Sequence, residues 1–322
     1  MPICMSYYMQ NRKIVYKKTL YKKGFAFSIT MWIIASLLFA TVVILRFAKE
    51  EVGLSQGLND KIKTQLTAQS VFEALKFYVP TADYTLTSLK NSLLQETQYP
   101  FPTEMVLDGR EYNVTQKIQL SIKDTSMMLN VTYDSSTMIA KALTREKEEE
   151  LSAVLKDSLE DWRDEDNLVK VNGAEENTYR SLGQRIKVRN TNAIQDIHEL
   201  QMIQGFDELN SSLIESNLYY GRGTSVNLML MDNRRYLSTL LGVDEAFMQK
   251  LLELRESEPL KFRKTLATLP DYNDDYMGFW LSKQLVVKIE VHEGRARSIL
   301  KAILTFKQLN ERPYMILSYR LY

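Results

Sequence analysis

From Phe25 to Leu45 the sequence reads FAFSITMWIIASLLFATVVIL, 21 residues without a charge. As a helix rising about 1.5 Å per residue, this run spans roughly 31 Å, the thickness of a bilayer's hydrocarbon core. It predicts one transmembrane helix, residues 25–46. Arg12, Lys13, Lys17, Lys18, Lys22 and Lys23 precede it, with no Asp or Glu in the first 24 residues. Cytoplasmic flanks carry the excess of Lys and Arg, so residues 1–24 are expected inside and the C-terminal body outside. Arg46 and Lys49 follow the span but alternate with Glu50 and Glu51.

The first 24 residues hold six of the 41 basic residues, which leaves 35 basic against 40 acidic in the rest of the 322-residue chain. Nucleic-acid binding depends on neutralising phosphates, so a mildly acidic body argues against a nucleic-acid partner. The single cysteine, Cys4, excludes an intrachain disulfide and a thiolate metal site.

After the span, Leu58, Ile62 and Leu66, then Ala68, Val71, Leu75 and Tyr78, recur at three- and four-residue spacing, and Pro80 stops the run. This predicts an amphipathic continuation of the helix over 47–80. Tyr112, Val114, Ile118, Leu120 and Ile122 alternate with polar residues, and Met128 to Tyr133 continue after a turn at Asp124–Ser126. Near the C-terminus, Val287, Ile289 and Val291 alternate, Glu293-Gly294 makes a turn, Leu300 to Phe306 follow, and Met315–Leu321 forms a last strand.

Between these strands the pattern is helical. Leu151, Val154, Leu155, Leu159 and Trp162 form one stripe. Asp196 with Glu199 resembles a capping box, Gly205 suits a helix end, Asp232 and Asp244 are candidate caps, and Gly242 and Pro259 are stops. The order strands, helices, strands predicts an α+β fold with an antiparallel sheet against the long helix. The sheet domain is expected over 81–143 and 275–322, with an inserted all-helical domain over 144–274.

Asp161, Asp164, Asp166, Glu175 and Glu176 cluster within sixteen residues. Hard oxygen ligands at this density suit Ca²⁺. The spacing is not that of an EF-hand, and acidic runs also occur as solvated helix ends. His198 and His292, 94 positions apart, have no Cys or Ser partner of recognisable spacing and read as structural. Gly221-Arg222-Gly223 lacks the strand–helix context of a nucleotide fingerprint and reads as a turn. Leu241-Gly242-Val243-Asp244, a faint helix–hairpin–helix match, reads as scaffold. No catalytic constellation emerges, so neither an enzyme nor a small-molecule substrate is expected.

Lys22-Lys23-Gly24-Phe25 resembles the processing site of type IV prepilins and pseudopilins. The stretch Asp161-Trp162-Arg163-Asp164-Glu165-Asp166, with Gly173-Ala174-Glu175-Glu176 and Tyr179, resembles a segment of the K-type minor pseudopilins of type II secretion (the general secretion pathway protein K family). Glu199-Leu200-Gln201-Met202-Ile203-Gln204-Gly205, Val226-Asn227-Leu228 and Ile122-Lys123-Asp124 through Leu129-Asn130 resemble further segments of that family. Departures are Arg163 for Ile, Glu176 for Asp, Met229 for a second Asn, and a missing Pro near Ala193. Ile29 stands where most pilins carry Glu, an absence characteristic of the K-type member.

The resemblance implies a pilin-like fold with an inserted SAM-like helical domain, and no enzyme. It implies cleavage between Gly24 and Phe25 by the prepilin peptidase, N-methylation of Phe25, and a single-pass place in the bacterial inner membrane with a periplasmic body. It implies Ca²⁺ held among Asp161, Asp164, Asp166, Glu175 and Glu176. The implied partners are other minor pseudopilins in a tip complex and the inner-membrane secretion platform. The implied function is to initiate or cap the pseudopilus that exports folded proteins. The alternatives are a minor pilin of a type IV pilus-like filament and an uncleaved single-span binding protein.

Overall fold

In the computed structural model the described residues are 23–91, 98–189, 191, 194–306 and 313–322, with backbone only for 23–25. The basic leader to Lys22, and Ala193, lie outside them. The chain divides into two compact units, Met1–Leu58 and Asn59–Tyr322. One helix, α1 (Lys23–Thr81), runs through the boundary.

In the first unit, α1 exposes apolar side chains all round, among them Trp32, Leu38, Phe39 and Ile44. A helix that is apolar on every face needs an apolar surrounding, and its uncharged stretch is long enough to cross a membrane. Ile29 lies in this stretch, half-exposed.

In the second unit, α1 becomes one-sided. Ala68, Val71, Phe72, Leu75, Tyr78 and Val79 are buried, while Ile62, Leu66 and Phe77 face out. Pro80 falls in the last turn, where its missing N–H removes a helical donor, and the helix ends one residue later at Thr81. Three short strands follow, β1 (Asp83–Tyr84), β2 (Ser88–Lys90) and β3 (Glu104–Val106), in a small antiparallel sheet. Next come β4 (Asp108–Thr115) and β5 (Ile118–Asp124), and then β6 (Leu129–Asn130).

The insert contains α2 (Ser136–Leu143), α3 (Glu149–Arg163), α4 (Glu176–Ser181) and α5 (Ser211–Asn217). The strands β7 (Leu218–Tyr219) and β8 (Val226–Asn227) separate these from α6 (Arg234–Leu240), α7 (Glu245–Ser257) and α8 (Pro259–Leu266). The strand β9 (Met277–Gly278) leads to β10 (Gln284–Glu293), β11 (Ala296–Thr305) and β12 (Met315–Leu321).

The main sheet is antiparallel in the order β12-β11-β10-β5-β4. Its inner face follows the alternation in the sequence: Leu120 and Ile122, Leu285, Val287 and Ile289, Leu300 and Leu304 are all buried against α1. Each such side chain contributes about 1.5–3 kcal/mol of burial energy. The β10–β11 hairpin pairs Glu293 with Ala296, leaving a two-residue loop whose first residue is Gly294 at φ +57°. A tight hairpin of the II′ kind needs Gly there. The fold is therefore α+β, with a long N-terminal helix on an antiparallel sheet.

The insert has its own core, and that core begins before residue 144: Leu129, Val131, Ile139, Ala140 and Leu143 pack with Leu155, Leu159, Trp162 and Tyr236. Two parallel two-residue pairings, β6 with β7 and β8 with β9, stitch it to the chain that leads back to the sheet. Polar contacts fix the insert to the outer sheet face. Lys301 Nζ donates to Glu215 Oε2 at 2.5 Å, Lys123 Nζ to the Ser216 carbonyl at 2.6 Å, and Tyr220 Oη to Ser318 Oγ at 2.8 Å. His198 belongs to this seam, against Asp196, Glu215 and Arg320, and His292 pairs with Glu290.

Local caps differ from expectation in places. Asn233 rather than Asp232 caps α6, accepting the Tyr236 N–H at 3.0 Å. Asp232 is taken by Arg255, 2.7 Å away. Asp244 caps α7 by accepting the Phe247 N–H at 2.7 Å, and Gly242 before it has φ +64°. Asp196 starts a 3₁₀ turn, Ile197–Met202, rather than an α-helix.

Candidate metal centre

Helix α3 ends where Asp164 turns extended as its C-cap, its N–H donating to the Glu160 carbonyl at 2.9 Å. The chain then loops out and returns to Glu175, the N-cap of α4. This return places ligand atoms of Asp164, Asp166 and Glu175 within 4.8 Å of one another. Asp166 Oδ1 accepts the Leu168 N–H at 2.7 Å. Asp164 Oδ1 is buried with no hydrogen-bond partner, and the buried Glu175 carboxylate meets only the backbone N–H groups at the start of α4.

A buried carboxylate without a partner is costly. The same burial acts on proton affinity. Burial first, then repulsion from Asp161 and Asp164, pushes the Glu175 carboxyl from 4.5 up to about 7. Burial also raises Asp164, with Asp166 adding to it.

The five carboxylates singled out in the sequence do not form one group. Asp161, fully buried, gives its oxygens to the Lys170 N–H at 3.1 and 3.3 Å. Glu176 sits one position past the cap, where the helix turns its side chain outward, and it accepts from Arg180 Nη2 at 2.5 Å. Sequence reasoning missed Asp157, one turn before Asp161 on α3, which accepts from Asn172 twice. The four-residue spacing of Asp157 and Asp161 was the available signal.

The distant motifs meet behind this loop. Trp162 Nε1 donates to Glu199 Oε1 at 3.0 Å, and the Trp162 ring meets Tyr179 edge-on at 6.2 Å. The Tyr179 hydroxyl accepts the Gln204 N–H at 3.0 Å. Arg189 neutralises Glu199, with Nη2 at 2.7 Å from Oε2. Gly205 is at φ +84° and packs so tightly on α3 that a Cβ would lie 3.0 Å from Val154. Arg163 donates to the Val131 and Asp134 carbonyls at 3.2 Å each.

The donor set fits a hard cation. Three converging carboxylates, Asp164 and Glu175 with buried oxygens and Asp166 exposed, offer the all-oxygen ligation that calcium takes.

The described residues thus combine a long apolar-then-amphipathic helix, compatible with a single membrane anchor, with an antiparallel sheet and a helical insert bearing an acidic turn. Residues 132–216, which include the acidic turn, match the family model of type II secretion system (T2SS) protein K, first domain. The match is confined to this segment, 132–216, of the 322-residue chain. A chain of the crystal structure of the GspK-GspI-GspJ complex from the enterotoxigenic Escherichia coli type 2 secretion system is similar to 85% of this chain. The match covers 99% of that chain, at 13% identity and TM-score 0.48. No curated protein sequence matches the chain.

Proposed function

We propose that this chain is the minor pseudopilin at the tip of a type II secretion pseudopilus, where it initiates or caps assembly. The observation that carries this reading is the protein K match over 132–216, the segment that builds the acidic turn and its packing. The uncharged Ile29 supports the tip position. A carboxylate in hydrocarbon is kept only where it finds a partner, and a terminal subunit lacks one neighbour. The insert, lying on the outer sheet face, would obstruct further subunits above it. The proposed partners are other minor pseudopilins, the prepilin peptidase and the inner-membrane platform. The body would lie in the periplasm and the anchor in the inner membrane.

The peptidase would cut between Gly24 and Phe25, with methylation of the new N-terminus. Intact mass spectrometry of membrane-extracted protein tests this: a chain starting at Phe25 with one added methyl is expected. A chain retaining Met1 in cells with an active peptidase contradicts it and favours an uncleaved single-span protein. Deleting the gene should abolish secretion and leave twitching intact; the reverse would assign the chain to a type IV pilus.

Asp164, Asp166 and Glu175 would hold Ca²⁺, and Glu176 is outside this proposed set. The ion would supply positive charge that neutralises the three carboxylates and fixes the loop between α3 and α4. Extracellular-type calcium sites work at about 10⁻⁴–10⁻³ M, a range that suits the periplasm.

A further inference from the structure

The loop between Asp166 and Glu175 carries two of the three candidate ligands, yet like charges there favour its opening. Two acidic residues outside the trio oppose that. Asp157 and Asp161 lie one turn apart on α3 and face the returning arm of the loop. Asp157 Oδ2 accepts the Asn172 backbone N–H at 3.1 Å and its side-chain amide at 2.9 Å. Asp161 accepts the Lys170 N–H. The Gly173 N–H closes the turn onto the Lys170 carbonyl at 3.0 Å. Gly173 crosses α3 so closely that a Cβ would overlap Asp161 Oδ2 and lie 3.1 Å from the Asp157 carbonyl. The anchored residues, 170 and 172, therefore fall between the two ligand positions.

We propose that Asp157 and Asp161 are positioning residues of the cation site, lashing the loop's returning arm to α3 so that Asp166 and Glu175 are held opposite Asp164. This rests on the calcium reading above. Asp157 Oδ2 and both Asp161 oxygens accept from the loop, so these residues act through Asn172 and Lys170. Removing Asp157 leaves all three ligands in the chain but frees the arm that presents them. Loss of an outer partner of this kind typically weakens metal binding about 10–100-fold.

The test uses the full chain in detergent, titrated with Ca²⁺ by calorimetry and with Tb³⁺ by luminescence excited through Trp162. Luminescence lifetimes in H₂O and D₂O count the waters on the bound ion. Asp157→Ala and the exposed-loop variant Asn172→Ala should each weaken Ca²⁺ binding, Asp157→Ala by about tenfold or more. Each should also admit an additional water to Tb³⁺. Asp157→Asn, which keeps an acceptor, should recover most of the affinity, and Lys264→Ala, an exposed lysine on α8, should leave it unchanged. Wild-type affinity and water count in both alanine variants would overturn the positioning role while leaving the calcium site intact. Absence of binding by the unsubstituted chain would overturn the calcium reading and this inference with it.

Discussion

Two nearly buried glutamates, one on the sheet and one in the insert, sit in opposite states. Glu290, on the outer face of β10, accepts from Arg297 Nε and Nη2 at 2.7 and 2.8 Å, and His292 Nε2 lies 2.8 Å away. The Arg297 hydrogen bonds lead in holding its carboxyl down at about 2, against burial. Glu175 is equally hidden but meets no cation, only the backbone N–H groups at the start of α4, and burial pushes it up to about 7. The chain supplies Glu290 with an arginine, whereas no ion pair among the described residues reaches Glu175. The sheet pairs its buried carboxylate within the chain, whereas the acidic turn brings Asp164, Asp166 and Glu175 within 4.8 Å of one another, the grouping that the proposed calcium ion would neutralise.

The comparison breaks most visibly at Gly173. Gly173→Val should destabilise the insert by about 3 kcal/mol and abolish calcium binding, because the new side chain would overlap Asp161 and crowd the Asp157 carbonyl. Thermal unfolding and a calcium titration check this. Next in size is the pH dependence without metal. Glu175's folded pKa is raised, so the folded state holds its proton longer than the unfolded one. Stability should therefore fall as pH rises from 4.5 to about 7, by roughly 3 kcal/mol. Glu175→Gln should flatten that profile in chelator-treated protein.

Calcium at a hundred times its Kd should restore about 2.7 kcal/mol, read as a rise in Tm that chelation reverses. On the sheet the sign inverts. Glu290's folded pKa is lowered, so its contribution is present above 4.5 and lost as pH falls towards 2. Glu290→Gln should cost about 1–2 kcal/mol at neutral pH, with no effect on calcium affinity. The smallest effect belongs to Glu176→Gln, within about 0.5 kcal/mol and with calcium binding unchanged, since its carboxylate is engaged by Arg180.

How far the sequence could be read follows the same division. The alternation through Ile118–Ile122, Val287–Val291 and Leu300–Leu304 has one physical meaning, because a strand with one buried face must repeat every second residue. The helix stripe from Ala68 to Tyr78 was legible for the same reason at a period of 3.6. The insert is made of short helices and turns, where tertiary partners decide. Glu199 reads as a capping residue but is taken by Trp162 and Arg189. Asp232 reads as a cap but is taken by Arg255. Glu175 and Glu176 are chemically alike, and only the placement of the α4 N-terminus sends one inward and the other to Arg180. The clamp of Asp157, Asn172 and Gly173 joins residues fifteen and sixteen positions apart across a loop whose shape no periodicity encodes.

The most direct measurement is hydrogen–deuterium exchange of the full chain with calcium and with chelator. The account predicts added protection on calcium binding that is concentrated in residues 157–176, with β10 and β11 exchanging equally slowly in both states. Unchanged exchange at 157–176, or a change spread evenly over the sheet and the insert, would contradict it.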